Sequence, residues 1–363
     1  MSQATKKRVL VVDDAVVVRK TISDAIAADP ALEVAGVAQN GRIAVDKFVA
    51  LRPDIILLDI EMPEMDGLEA VRALRAIDTR VPIIMFSTLS ARGASITLEA
   101  LSLGATDYVT KPSNIDVTAT TQTIVQELLP RIHALCHLPE APRASAGAHS
   151  LPIVPVKRFP QVPRTTLPPK IVAIGVSTGG PDALARVIPL LPSNLSVPVV
   201  IAQHMPPIFT SLLASRLSSK SALPVRECVS GEPLQAGSVV IAPGDYHMVL
   251  NQEEGVIRLR THQGPKENFC RPAVDVLFRS VASVYGGRTL AVILTGMGQD
   301  GLKGCETLRG LGARIYAQDE ASSVVWGMPG FVAKSGLADK ILPLDQIAGE
   351  ITRAVASQVA ARV

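Results

Sequence analysis

Ile171-Val172-Ala173-Ile174-Gly175-Val176-Ser177-Thr178-Gly179-Gly180 is a short apolar strand that runs into a glycine-flanked turn carrying a serine. Two later segments repeat this grammar. Val197–Ala202 runs into Gln203-His204-Met205, and Leu290–Leu294 runs into Thr295-Gly296-Met297-Gly298-Gln299-Asp300-Gly301. Apolar runs of this length alternating with helical patterns predict a parallel sheet covered by helices. Ligands of such sheets bind outside the carboxyl ends of the strands. A serine, a histidine and an aspartate at three strand ends therefore converge on one mouth, and that points to a hydrolase.

The remaining sequence frames this site. At 363 residues the chain exceeds one ordinary core, so two domains are expected. A net charge of +3 leaves no broad electrostatic footprint for nucleic acid. Cys136, Cys228, Cys270 and Cys305 form no C-x-x-C pair, which argues against a disulfide framework or zinc knuckle and fits a reducing cytosol. The polar, basic Met1–Arg8 leads into a strand too short for a signal core. No apolar run approaches the ~18 residues of a membrane span. A soluble, cytoplasmic protein without membrane insertion is expected.

Upstream, Val9–Val12, Glu33–Val37, Ile55–Leu58, Ile83–Phe86 and Tyr108–Val109 read as strands. The intervening Ala15–Ala28, Arg42–Leu51, Leu68–Ile77 and Ala94–Leu103, and finally Ile115–Leu135, carry apolar faces of helical period. Between Leu138 and Pro169 eight prolines rule out packed helix or sheet, and a semi-rigid linker is expected. The expected division is a first α/β domain over 1–128, a linker over 129–169 and a second α/β domain over 170–363.

In the first domain Asp13 and Asp14 end the first strand, Asp59 the third and Ser87 the fourth, and Lys111-Pro112 follows the fifth. Three carboxylates converging on one sheet edge repel, raising a pKa or demanding a cation. A hard divalent ion, Mg²⁺ above all, answers that demand. A carboxylate beside it can attack a phosphoryl group, with Lys111 neutralising the product's oxygens. The bland alternative is that the aspartates cap helices.

In the second domain Gly175-Val176-Ser177-Thr178-Gly179 fits G-x-S-x-G, a tight turn that exposes a nucleophile before a helix. A phosphate-cradling turn is the rival reading, although the spacing matches neither nucleotide fingerprint. His204 is the candidate base and His247 its rival, while His262 lies in a polar stretch. His133 and His137 have a metal-like i,i+4 spacing but no third ligand nearby, and are expected at the surface. Asp300 is the best-placed acid, since a triad needs a buried carboxylate to orient the base. The glycines around it bring backbone amides close enough to serve as oxyanion donors.

Residues 8–128, with Met62-Pro63-Glu64-Met65-Asp66-Gly67 after Asp59, resemble the receiver domain of response regulators. The resemblance implies a flavodoxin-like fold with Asp59 as phospho-acceptor. Asp14, Asp59 and the Glu61 carbonyl would hold Mg²⁺, with Asp13 helping through water. Ser87 stands at the switch hydroxyl and Tyr108 at the switch aromatic.

Residues 170–342 resemble the Rossmann-like catalytic domain of the CheB family, the chemotaxis response-regulator protein-glutamate methylesterases. The resemblance rests on Gly175–Pro181, Gln203-His204-Met205-Pro206, Ile241–Gly244, Arg271–Phe278, Gly296–Gly301 and Gln318–Pro329. It implies hydrolysis of γ-glutamyl methyl esters, and deamidation of glutamines, on methyl-accepting chemoreceptor cytoplasmic domains. Ser177 would attack, His204 would take its proton and Asp300 would orient His204. The Met297 N–H and a group of Thr178 would hold the oxyanion, with no cofactor for this step. A chemotaxis histidine kinase would phosphorylate Asp59 and release a receiver that blocks the mouth. Cys270 departs from the histidine many relatives carry, with no bearing expected on the assigned roles. The alternatives are a phospho-dependent receptor-binding module without catalysis and a receiver-controlled nucleotide-binding protein.

Overall fold

The computed structural model describes residues 5–111, 121–138 and 163–356. The chain divides into two compact units, residues 1–147 and 148–363, each built on its own parallel sheet.

In the first unit β1 (Lys7–Val12), β2 (Leu32–Ala38), β3 (Ile55–Asp59), β4 (Ile83–Thr88) and β5 (Asp107–Lys111) lie in the order β2-β1-β3-β4-β5. All pairs are parallel. Val9–Val12 and Ile55–Leu58 are almost wholly inaccessible, so burial drives these strands inward at about 1.5–3 kcal/mol per large side chain. The crossovers hold α1 (Val16–Ala28), α2 (Gly41–Leu51), α3 (Gly67–Ile77) and α4 (Ala91–Ser102). Local chemistry sets their starts. Asn40 accepts from the Ile43 N–H, Asp66 and Glu69 form a reciprocal capping box, and Ser90 accepts from the Gly93 N–H. The order turns back on itself at β1 and β3, the kind of crevice where open α/β sheets bind ligands.

The helix predicted over Ile115–Leu135 is described only from residue 121 onward. A π turn at Ile124–Leu128 leads into α5 (Leu129–Leu135). Pro130 cannot donate to the preceding turn and crowds it, which widens that turn. Ile124, Leu128, Ile132 and Leu135 are buried. The boundary expected at 128 therefore falls inside a packed helix, and the linker starts later than 129. His133 is also corrected: it is buried, with Nε2 2.8 Å from Asp29 Oδ2, while His137 is exposed as expected. Of the proline-rich stretch, residues 139–162 lie outside the described residues, as does Pro112.

In the second unit the sheet order is β14 (Lys340–Leu342), β13 (Arg314–Gln318), β12 (Thr289–Ile293), β6 (Ile171–Val176), β7 (Val199–Gln203), β9 (Val239–Ile241), β8 (Val225–Glu227), again all parallel. An antiparallel hairpin, β10 (His247–Glu253) and β11 (Val256–His262), adds to this sheet domain. The helices are α6 (Gly180–Val187), α7 (Phe209–Ser218), α8 (Val274–Tyr285), α9 (Leu302–Gly310), α10 (Met328–Lys334) and α11 (Leu344–Ala356). Ala173, Val200, Val274, Phe278, Ile293 and Met328 belong to one buried cluster beneath the site. The chain joins this unit before residue 170, because the Thr165 N–H donates to the Gly312 carbonyl at 3.1 Å. Among the described residues no helix is long and apolar enough to cross a membrane.

Candidate functional site

At the crevice of the first sheet, Asp13 follows β1, Asp59 ends β3 and Lys111 ends β5. Lys111 Nζ bridges Asp13 Oδ2 at 2.8 Å and Asp59 Oδ2 at 2.7 Å. The exposed Asp14 completes a group whose ligand oxygens with Asp13 and Asp59 lie within 4.8 Å of one another. Hard oxygen donors in this arrangement suit Mg²⁺. Burial of Asp59, helped by the Asp13 charge, outweighs Lys111 and pushes its pKa up to about 7. Gly67 permits this packing, since a Cβ there would overlap the Asp59 carbonyl. Ser87 is wholly buried, with Oγ 2.7 Å from Thr97 Oγ1 and 3.4 Å from the Gly93 carbonyl. Its hydroxyl thus engages α4 rather than the carboxylates. Tyr108 is buried, and burial raises its pKa. The exposed Glu61 lies 3.9 Å from Arg92.

In the second sheet Ser177 and His204 leave adjacent central strands, because Val176 of β6 pairs with Gln203 of β7. Ser177 is fixed through its backbone. Its N–H donates to the Thr295 carbonyl at 3.0 Å, and its carbonyl accepts from the Gly180 N–H at 2.8 Å and from Gln203 Nε2 at 3.0 Å. Gly296 abuts the serine, and an added Cβ there would come within 2.8 Å of Ser177 Cβ. Among the described residues no hydrogen bond engages Ser177 Oγ, the Thr178 N–H or the Met297 N–H, which leaves a hydroxyl and two donors uncommitted at one mouth.

The His204 ring is 12% exposed, and its Nε2 lies 2.8 Å from Asp300 Oδ2. Asp300 is buried but fully partnered. Its carboxylate also accepts from Val274 N at 2.7 Å, Asp275 N at 3.0 Å, Gly301 N at 2.9 Å and Asn268 Nδ2 at 2.8 Å. The first two are first-turn N–H groups of α8, which favour an anion. Burial alone would raise the Asp300 pKa, but His204 and these N–H groups hold it below the ordinary carboxylate value.

His247 is no rival base. Its Nε2 donates to the Pro265 carbonyl at 2.9 Å and its Nδ1 accepts from Ala273 N at 3.2 Å, so both nitrogens are committed. The expectation for Cys270 is also corrected, because its Sγ lies 3.4 Å from His204 Nδ1. The imidazole is engaged there rather than with Ser177. Burial opposes charge on the ring, yet Cys270 and Asp300 outweigh it and push the His204 pKa up to about 10. The Cys270 share exists only when that thiol is ionised, so beside a neutral thiol the imidazole titrates lower. Asn268, which joins Asp300 to the buried Asp275, is a second residue that sequence reasoning missed.

A hydroxyl, an imidazole and a buried carboxylate at neighbouring strand ends are the parts of acyl transfer. Residues 172–351 match the family model of the CheB methylesterase, and residues 9–121 that of the response regulator receiver domain. The protein-glutamate methylesterase/protein-glutamine glutaminase of Trichodesmium erythraeum is 48% identical over 353 residues, covering 96% of this chain and 99% of that protein. The chain belongs to the CheB methylesterase family. A second relative in this family, from a Nocardioides species and of the same name, is 49% identical over 97% of this chain and 96% of its own length. The solved CheB methylesterase catalytic domain of Thermotoga maritima superposes with a TM-score of 0.50 at 44% identity, spanning 52% of this chain and 99% of that one. Both CheB relatives are named as enzymes, which favours catalysis over the binding-module reading.

Proposed function

We propose that this chain is a phosphorylation-activated protein-glutamate methylesterase. It acts in the cytoplasm on γ-glutamyl methyl esters of chemoreceptors and deamidates receptor glutamines by the same acyl chemistry. The observation that carries this reading is the His204–Asp300 contact of 2.8 Å beside the uncommitted Ser177 hydroxyl. Ser177 Oγ moves onto His204 Nδ1 in place of Cys270, gives up its proton there and bonds to the ester carbonyl carbon. The proton then passes from His204 to the departing methoxide, which leaves as methanol. Water, deprotonated by the same imidazole, cleaves the acyl-serine and regenerates the hydroxyl. The free Met297 and Thr178 N–H groups serve as oxyanion donors, each typically worth about 3–4 kcal/mol of barrier. Asp300 holds the Nε2–H tautomer, leaving Nδ1 to accept.

In the receiver, Asp59 is the phospho-acceptor and a chemotaxis histidine kinase the donor. Asp13, Asp14, Asp59 and the Glu61 carbonyl would hold Mg²⁺, which supplies charge neutralisation to phosphoryl transfer when bound. Lys111 offsets the charge of the phosphoryl oxygens, and Ser87 and Tyr108 transmit the change. The domain division that goes with this reading is a receiver, a proline-rich connection and an esterase domain. Methanol release from methyl-labelled receptor membranes tests the chemistry. Wild type should release methanol and Ser177→Ala should lose at least about 10³-fold in rate. Equal release by both would sink the assignment of the nucleophile.

A further inference from the structure

His204 and Cys270 form a donor pair that ester hydrolysis does not require. His204 Nδ1 and Cys270 Sγ stand 3.4 Å apart. In a tetrahedral zinc site with Zn–N of about 2.0–2.1 Å and Zn–S of about 2.3 Å, such ligand atoms lie about 3.6 Å apart. The two atoms are already at that spacing. The far side of the ring is prepared as well. Zinc-bound histidines almost always donate their second N–H to an acceptor such as a carboxylate, and Nε2 here meets Asp300 Oδ2 at 2.8 Å. Donor atoms of His204, Cys270 and Asp300 all lie within 4.8 Å of one another.

The sulfur is held in place. Glu267 and Cys270 exchange backbone hydrogen bonds of 3.1 and 2.9 Å across Asn268 and Phe269, whose φ angles are 51° and 64°. The next residue, Arg271, is clamped to Asp245 by bonds of 3.0 and 2.6 Å. Cys270 is half-buried, whereas the other three cysteines are buried.

We propose that His204 Nδ1 and Cys270 Sγ bind Zn²⁺, with water completing the coordination, and that the bound ion arrests the esterase. Binding forms Zn–N and Zn–S bonds and releases the thiol proton to solvent, so charge and atoms balance. The ion takes the lone pair that must otherwise accept the Ser177 proton. This inhibitory half rests on the reading of His204 as general base; the binding half does not.

Full-length protein in excess Mg²⁺ provides the test. Co²⁺, as a spectroscopic stand-in for Zn²⁺, should give a thiolate-to-cobalt charge-transfer band in wild type and none in Cys270→Ser. The receiver carboxylates cannot produce such a band. Zn²⁺ should abolish the band and suppress methanol release, and a chelator followed by fresh Mg²⁺ should restore it. Cys270→Ser, compared with its own zinc-free rate, should need at least about 10–100-fold more Zn²⁺, a loss typical of even an outer-shell partner. Should that variant fail to fold, capping the accessible thiol of wild type with a small methanethiosulfonate makes the same comparison. No band in wild type, or equal zinc sensitivity with and without the thiol, overturns the site. A band without loss of turnover overturns the inhibitory half. Zinc-free wild type that releases no methanol would instead count against the esterase reading, while the band still decides the metal site.

Discussion

Asp300 is buried with five donors around it: His204, Asn268 and the N–H groups of Val274, Asp275 and Gly301. In Asp300→Asn an amide N–H₂ must face donors that have no other acceptor. The expected cost is about 2–4 kcal/mol of stability, since buried donors lose their partner. The rate of methanol release should fall by roughly 10⁴ through the wrong imidazole tautomer. Chemical denaturation and single-turnover release check the two effects separately, and a variant that kept its rate would refute the role of Asp300. When ionised, Cys270 acts on the same ring by charge. A thiolate there favours the imidazolium, which cannot serve as base, so Cys270→Ala should lower the His204 pKa. The rise of kcat/KM with pH should then shift to lower pH, worth up to about tenfold per unit below the midpoint. An unmoved midpoint would show that Cys270 does not set the charge of that ring. The placement of Ser177, His204 and Asp300 at one sheet edge was legible in the sequence because each follows an apolar strand of a parallel sheet. Cys270 was not legible. It meets His204 across 66 positions of chain, and no local pattern encodes that contact. His133 escaped for the same reason, its partner Asp29 being 104 positions away.

Among the elements, strands buried on both faces were the easiest to read, as the unbroken apolar runs of β1, β3, β6 and β12 show. The hairpin of β10 and β11 was not foreseen, although Glu254-Gly255, with φ of 50° and 81°, is a two-residue turn of the kind that joins such strands. The consecutive Asn251 and Gln252, exposed on opposite faces of β10, broke the alternation. The end of α5 at Leu135 was legible, but the domain boundary was set inside this helix because Pro130 beside an apolar face signals both a helix start and a linker. The edge of the first sheet carries its own prediction. The ends of β1, β3 and β5 crowd Asp13, Asp59 and Lys111 together, and burial pushes the Asp59 pKa up from 3.8 to about 7. A raised acid pKa gives stability that is complete below the unfolded value and is lost as pH rises through the folded one. In the presence of EDTA, the Tm of the first unit should therefore fall between about pH 4 and pH 7 and level off above that. Asp59→Asn should remove most of that fall and raise Tm at pH 8 by several degrees, on the order of 4–8 °C per kcal/mol for a small domain. Mg²⁺ should stabilise wild type and do little for the variant. Parallel behaviour of the two proteins in calorimetry would rule out Asp59 as the strained group.

The proposed function requires an event at Asp59 to reach Ser177. In the proposed function Ser87 is the switch. Its hydroxyl is committed to Thr97 and Gly93 of α4, although its strand ends beside Asp59, which pairs with the neighbouring Phe86 register. A phosphoryl group on Asp59 offers that hydroxyl stronger, charged acceptors, which withdraws it from α4 and frees the start of that helix to shift. The full chain should accordingly release methanol faster when a small phosphodonor and Mg²⁺ are added, by about 5–150-fold if the coupling falls in the usual 1–3 kcal/mol. Asp59→Asn should respond to neither addition, and removing Mg²⁺ should abolish the response of wild type. Ser87→Ala separates the switch from the chemistry of phosphorylation: it should still take up phosphoryl groups at Asp59 but lose most of the stimulation. If Asp59→Asn and phosphorylated wild type turn over equally, the receiver does not gate the esterase. If Ser87→Ala is stimulated as fully as wild type, the signal leaves the receiver by a route other than the end of β4 and the start of α4.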